Sequence, residues 1–339
     1  MVNVRGYISS NFTKAFLTIF LPFFLIISLV FLVKISSLTS KIQISFGELF
    51  ELFAYSIPEI IFYTLPLSFV AALANVLMKL SQDNELIALY ALGLKAKKVL
   101  KSLLLLATLF SVLLLSISFL AMPLSKQFYK AFKASKKSEA KLNIVAGKLG
   151  QKFGNYYIYL EENRDDIFHN IVIYNRTKKD EEQFFSAQEG KINKNSETTS
   201  LLLNNGYGYT YTKDKLQQAE YKTLEVYDTT KKKFFKFEDI SIYWSKLKKS
   251  ERLMKKALFY LFVSLIPLLS VYLIAAFTMI NPRYQSNHSF IVIFSITFIF
   301  YMLASILQKW GNYYLLILFI IFMTFMGKWF FKQRVERYF

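Results

Sequence analysis

The sequence predicts a membrane α+β fold, six transmembrane helices with an extracytoplasmic β domain inserted between the third and the fourth, and three observations predict it. Uncharged runs cover Ala15 to Val33, Ile60 to Met78, Ser102 to Pro123, Ala257 to Pro282, Tyr284 to Gln308 and Trp310 to Gly327. Each is about as long as the roughly 20 residues a helix needs to cross a hydrocarbon core. Between the third and fourth runs lies a polar, charge-rich segment, residues 124–256, long enough to be a domain. Apolar residues make up 54% of the 339-residue chain and aromatic ones 18%, more than an ordinary soluble protein carries. The expected organisation is 1–123 for helices one to three, 124–256 for the β domain with helical joints, and 257–339 for helices four to six.

The first run reads as a retained helix rather than a cleaved signal. It is longer than a typical signal core, and Lys34-Ile-Ser-Ser-Leu follows it without a small-x-small site. The second run passes directly into Ser81-Gln-Asp-Asn-Glu-Leu-Ile-Ala-Leu-Tyr-Ala-Leu-Gly93. Ser81 is placed to cap a short helix over 81–93, Asp83 and Glu85 fall in its first turns where the helix dipole favours negative charge, and Gly93 is a natural stop. Leu86, Leu89, Tyr90 and Gly93 recur at i, i+3, i+4 and i+7, one face of that helix. Two roles fit such a segment: docking another protein, or lying passively in the membrane interface, where helices are usually basic rather than acidic at the start.

The third run leads into Lys126 to Lys141, where Phe128 and Phe132 form an i,i+4 aromatic pair among lysines, and Ser245 to Lys256 precedes the fourth run without Pro or Gly. Both read as helical continuations that join the domain to the membrane, with solvated connectors as the alternative. Inside the domain, seven short segments rich in aromatic and β-branched residues read as strands: 153–160, 167–174, 183–187, 199–203, 208–211, 221–227 and 234–237. Turn-forming clusters separate them, among them Asn163-Arg-Asp-Asp166, Asn193-Lys-Asn-Ser196 and Asn204-Asn-Gly206. Such spacing fits a sandwich or a jelly roll, and periodicity does not choose between them.

Lys and Arg in the short loops set the orientation. With the N-terminus inside, twelve of them (Arg5, Lys14, Lys79, Lys95, Lys97, Lys98, Lys101, Arg283, Lys328, Lys332, Arg334 and Arg337) face the cytoplasm and three (Lys34, Lys41 and Lys309) face away. Both termini are then expected in the cytoplasm. The net charge of +19 reads as topology plus attraction to anionic headgroups, not nucleic-acid binding, because the domain interleaves its charges instead of gathering basic residues on one face.

Catalytic chemistry has little foothold. The absence of cysteine excludes disulfides and thiolate metal sites. There is no phosphate-cradling Gly-x-x-x-x-Gly-Lys-Ser/Thr, no His-Glu-x-x-His and no Gly-x-Ser-x-Gly, and the two histidines, His169 and His288, fall on opposite predicted sides of the membrane. Paired carboxylates, the usual sign of a proton relay, are missing from the spans. No metal and no cofactor is expected, and any energy for transport comes from outside the chain.

The run Ile57-Pro-Glu-Ile-Ile-Phe-Tyr-Thr-Leu-Pro-Leu-Ser68, followed by Lys79-Leu-Ser-Gln-Asp-Asn-Glu-Leu-Ile-Ala-Leu-Tyr-Ala-Leu-Gly-Leu94, resembles the second helix and coupling helix of the YjgP/YjgQ permeases, the LptF and LptG subunits of the lipopolysaccharide exporter. Arg5-Gly-Tyr-Ile8 is similar to the family's opening, and Ala187-Gln-Glu-Gly-Lys-Ile192 with Leu201-Leu-Leu-Asn-Asn-Gly206 is similar to its Ala-x-x-Gly and Leu-x-Asn-Gly strand pair. Asn281-Pro-Arg283 is closer to the LptF branch. The resemblance covers essentially the whole chain.

It implies an extracytoplasmic β jelly-roll domain. It also implies a multi-pass subunit in the inner membrane of a Gram-negative bacterium, paired with the paralogous permease LptG on a dimer of the ATPase LptB, with LptC associated. Such a complex takes lipopolysaccharide from the inner membrane and passes it to a periplasmic bridge. Glu85 matches the coupling-helix acid that contacts the ATPase, with Asp83, Leu86, Leu89, Tyr90 and Gly93 around it. Lys34 matches a basic position that holds lipid A phosphates, and Lys41 joins it by proximity, whereas a snorkelling helix-end lysine is the plainer role for Lys34. The strongly aromatic composition and the basic domain depart from the family pattern. A membrane-anchored scaffold or sensor with a ligand-binding β domain is the alternative function.

Overall fold

The computed structural model describes residues 4–39, 44–140, 145–153, 156–164, 167–178, 181–194, 199–227, 236–248, 250–280 and 289–337. The chain divides into a membrane unit, Met1–Ser37, Phe46–Tyr129 and Phe237–Phe339, and a β unit, Leu38–Ser45 and Lys130–Lys236. In chain order the helices are α1 (Val4–Thr39), α2 (Phe46–Gln82), α3 (Glu85–Ala91), α4 (Ala96–Ser116), α5 (Met122–Ala140), α6 (Ile240–Ser245), α7 (Glu251–Thr278), α8 (Ser289–Trp310) and α9 (Tyr313–Phe331). Six helical stretches are long and apolar enough to cross a membrane, the third being α4 continued through a π-helical turn, Ile117–Ala121, into α5.

In the membrane unit, α2 and α7 form the buried pair. Inside protein lie 78% and 72% of their most apolar windows, against 11% for α1. Both helices carry buried small side chains, Ala72 and Ala74 on α2 and Ser264, Ser270, Ala275 and Ala276 on α7, a composition that lets membrane helices approach closely. Hydrocarbon supplies no hydrogen bonds, so the buried hydroxyls bond backwards along their own helices: Ser68 to the Thr64 carbonyl at 2.9 Å, Ser264 to Tyr260 at 2.7 Å and Thr278 to Ile274 at 2.8 Å. The first turns of α1 are held by an aromatic wedge, with Phe12 at 5.1 Å from Phe69 and Phe16 edge-on to Phe110 at 4.8 Å. Further along, Leu21, Leu25, Leu29 and Val33 are exposed, an apolar flank suited to lipid or to another membrane subunit.

The third span bends for a chemical reason. Pro123 has no N–H to give to the Phe119 carbonyl one turn back, and the π-helical turn sits at that place. The indole N–H of Trp244, on α6, donates to that carbonyl at 2.8 Å while its ring packs 5.0 Å from Phe119. Gln127 then pairs both backbone groups of Glu238, accepting from its N–H at 2.8 Å and donating to its carbonyl at 3.0 Å. The continuous helix expected over Ser245 to Lys256 is interrupted: α6 ends at Ser245, a 3₁₀ turn covers Lys246–Lys248, and α7 starts afresh at Glu251. Ser250 causes the restart, because its hydroxyl accepts from the Leu253 N–H as an N-cap.

In the β unit, β1 (Gln151–Phe153), β2 (Tyr156–Arg164), β3 (Ile167–Lys178), β4 (Glu181–Lys194), β5 (Thr199–Thr212) and β6 (Leu216–Tyr227) form one antiparallel sheet in sequential order. The antiparallel β domain between the third and fourth spans is as predicted. The strand order is that of a meander, and the crossed connections of a jelly roll are absent among the described residues, because short links such as Thr212 to Leu216 pair each strand with its successor. One face holds the core of Phe153, Ile158, Leu160, Ile171, Ile173, Leu201 and Leu203.

A crease crosses this sheet. Glu161, Asn170, Gln188, Asn205 and Lys222 occupy a position in β2 to β6 where each ladder in turn skips a pair, in line across the sheet. Asn170 and Asn205 adopt left-handed backbone, φ 52° and 51°. The spacing of inward residues consequently changes from two to three on crossing it, as at Phe168/Ile171, Ala187/Gly190 and Leu203/Gly206. Asn204-Asn-Gly206 is therefore not a turn between two strands: residues 199–203 and 208–211 belong to the single strand β5. Most of the segment 234–237 lies outside the described residues, and its described end, Lys236 and Phe237, is not a strand.

Candidate docking site

The predicted capping role of Ser81 does not hold, because α2 runs on through it to Gln82. The Ser81 hydroxyl is buried, donates to the Leu77 and Thr278 carbonyls at 2.9 Å each and accepts from the Ile280 N–H at 3.2 Å. It fastens the end of α2 to the end of α7. The chain then turns at Asn84, in left-handed backbone at φ 59°, and α3 begins at Glu85 with no side-chain cap. Its C-terminus is a Schellman closure, with the Gly93 N–H on the Tyr90 carbonyl at 2.9 Å and the Leu94 N–H on the Leu89 carbonyl at 3.2 Å. Gly93 serves conformation and not space: its φ is +79°, yet a Cβ there would touch nothing within 4 Å.

The apolar face recognised in the sequence points into the protein. Leu86 is buried in the membrane-unit core, and Leu89 and Tyr90 pack against it. Burial pushes the Tyr90 phenol well above its usual pKa, so it stays neutral. These residues hold α3 to its own bundle. Outward stand Asp83, Ala88 and Leu92, the last 78% exposed, together with Gly93. Glu85, Ala88 and Leu92 follow i, i+3, i+7, so the second stripe was legible in the spacing but masked by the more apolar one. Glu85 itself is half-buried, and one of its oxygens, Oε2, accepts from the Tyr7 hydroxyl at 2.7 Å.

Lys34 lies near the end of α1, exposed, its ammonium 5.4 Å from the Phe31 ring centre. Among the described residues no carboxylate pairs with it. Lys41 and Asn281-Pro-Arg283 lie outside the described residues. A polar knot between spans is barely visible in the sequence: Lys126 donates to the Tyr260 hydroxyl at 2.8 Å and stands 3.5 Å from Glu59, while Lys256 lies 5.5 Å from the Tyr260 ring centre. Glu59 just before an uncharged run and Lys126 just after Pro123 were its only traces. Among the described residues no group of three potential metal ligands occurs.

Six membrane-length helices and a β domain inserted between the third and fourth define a multi-pass membrane protein of α+β class. The profile of the family described as Lipopolysaccharide export system permease LptF/LptG matches residues 6–332, and the chain belongs to that family. No curated protein matches the chain in sequence. Family membership makes it an inner-membrane permease, not a catalytic enzyme, acting on lipopolysaccharide in a complex with an ABC ATPase.

Proposed function

We propose that this chain is the LptF-type subunit of the exporter. It extracts lipopolysaccharide from the inner membrane together with its paralogue LptG, with LptC associated, and the motor is an LptB dimer docked on α3. Both termini and α3 then face the cytoplasm, and the β domain faces the periplasm. The observation that carries this is the division of labour on α3. Leu86, Leu89 and Tyr90 anchor the helix to the bundle, while Glu85, Ala88 and Leu92 form an outward stripe with one carboxylate. An acid beside an exposed leucine suits a groove with an apolar floor and a guanidinium at its rim. Because Ser81 ties α2 to α7 immediately before α3, a push on α3 reaches the two buried helices as a rigid-body displacement.

The bare flank of α1 from Leu21 to Val33 supplies an apolar wall for acyl chains shared with the partner permease, and Lys34 at its end supplies a cation for lipid phosphate. Past the membrane, β6 offers an edge whose residues Leu216 to Glu220 are exposed, suited to strand addition by the next bridge domain. Co-expression tests the assignment. The chain should co-purify with the second permease and the ATPase, and Glu85→Lys should cut lipopolysaccharide release per ATP without changing the melting temperature of the chain. Absence of a complex refutes the subunit role. Undiminished release by Glu85→Lys removes Glu85 from it.

A further inference from the structure

The carboxylate of Glu85 does not stand alone. Tyr7, in the first turn of α1 and 78 residues away in sequence, donates its hydroxyl to Glu85 Oε2 at 2.7 Å. The start of α1 that carries Tyr7 is itself fixed. Ile8 and Phe12 are buried beside it, the Ser9 and Ser102 hydroxyls lie 3.2 Å apart, and Ser102 donates to the Arg5 carbonyl at 3.4 Å. The phenol therefore projects from a backbone held both by packing and by α4.

We infer that Tyr7 is a positioning residue for ATPase docking, holding one oxygen of Glu85 so that the other is presented to a cationic side chain of the motor. The inference rests on the docking role proposed for α3. A glutamate on a solvated loop helix samples several rotamers, and a partner that needs one of them must freeze the rest. The bond from Tyr7 selects the rotamer in advance and leaves Oε1 to accept from a guanidinium, whose fork is then met by an oriented acceptor. It also joins α3 to α1, the span with the largest bare flank, so that motor contact is felt at the wall of the lipid path as well as at α2 and α7.

The test is an equilibrium titration of the ATPase onto the assembled permease pair in nanodiscs, comparing wild type, Tyr7→Phe, Glu85→Ala and the double variant. Tyr7→Phe keeps the ring and removes only the hydroxyl. It is expected to raise the Kd about fivefold, the scale of one exposed charge-assisted hydrogen bond. In the Glu85→Ala background the same change is expected to add nothing, and the melting temperature of the permease pair is expected to stay put. A wild-type Kd for Tyr7→Phe, or a fivefold loss that persists on top of Glu85→Ala, overturns the positioning role. The two levels separate cleanly. A wild-type Kd for Glu85→Ala removes the docking role of α3 itself, whereas an impaired Glu85→Ala beside a normal Tyr7→Phe removes only Tyr7.

Discussion

Gly206→Ala should unfold the β unit at far lower temperature, whereas Gly208→Ala, two residues along the same strand, should be nearly silent. A Cβ at Gly206 would lie 1.9 Å from the Ser186 carbonyl oxygen and 2.6 Å from the Tyr221 hydroxyl, where ordinary contact begins at 3.4 Å. The first neighbour is backbone of the adjacent strand and cannot swing aside. Overpacking of this kind costs about 1–3 kcal/mol. The displaced Tyr221 also loses its 2.8 Å bond to the Ser186 carbonyl, worth about 0.5–1.5 kcal/mol. Together they come to about 3 kcal/mol, and at roughly 4–8 °C per kcal/mol for a domain of this size the midpoint should fall by more than about 12 °C. At Gly208 the nearest atom is the Phe185 ring at 3.2 Å, which can shift by a few tenths of an ångström, so the loss should stay under about 1 kcal/mol. Pulse proteolysis of the full chain in detergent, scoring survival of the β unit against temperature, measures both. Equal midpoints for the two variants would refute the argument that the crease requires glycine at 206 and only tolerates it at 208.

Gln127→Ala should cost about 2–3 kcal/mol, since it strands both backbone groups of Glu238 beside a buried site, and denaturant titration of the membrane unit reads the loss. Ser81→Ala should cost about 1–2 kcal/mol and raise hydrogen exchange at the Ile280 amide, which keeps only its 3.1 Å bond to the Thr278 carbonyl. Burial pushes the Tyr221 phenol up to about 12. Because the folded chain keeps that proton after the unfolded chain has lost it, β-unit stability should be full below about pH 10 and decline as pH rises toward the folded value. Tyr221→Phe should flatten that decline, leaving the smaller contribution of Tyr227, whose bond to Glu225 also raises its phenol, and a pH series of proteolysis midpoints checks it.

The spans were legible because length and lack of charge are read from single runs, with no knowledge of neighbours needed. Strand boundaries in β4 and β5 were not, because Asn204-Asn-Gly206 has turn chemistry, and only the pairing of five strands makes the left-handed Asn205 part of a crease instead. The short helix is legible from its acids and its glycine stop, but which way its apolar face points is not. Leu86, Leu89 and Tyr90 outweigh Leu92 on any apolar scale, and burial inside the chain's own bundle is a property of α2 and α7 that the local pattern does not carry. Ser81 looked like a cap for the same reason: its partners, Thr278 and Ile280, are almost two hundred residues away.

The bond from Trp244 to the Phe119 carbonyl has a consequence in time. The two residues are 125 positions apart, and the pairing of Gln127 with Glu238 spans 111. A ribosome adding roughly 5–20 residues per second needs on the order of 6–25 s to make the intervening chain. Throughout that interval the Phe119 carbonyl, which Pro123 cannot bond, lacks the indole that satisfies it in the finished fold. The indole thus reaches the third helix only after the whole β segment has been synthesised, and the contacts of that helix with α7, such as Ser118 with Ser264 and Lys126 with Tyr260, come later still.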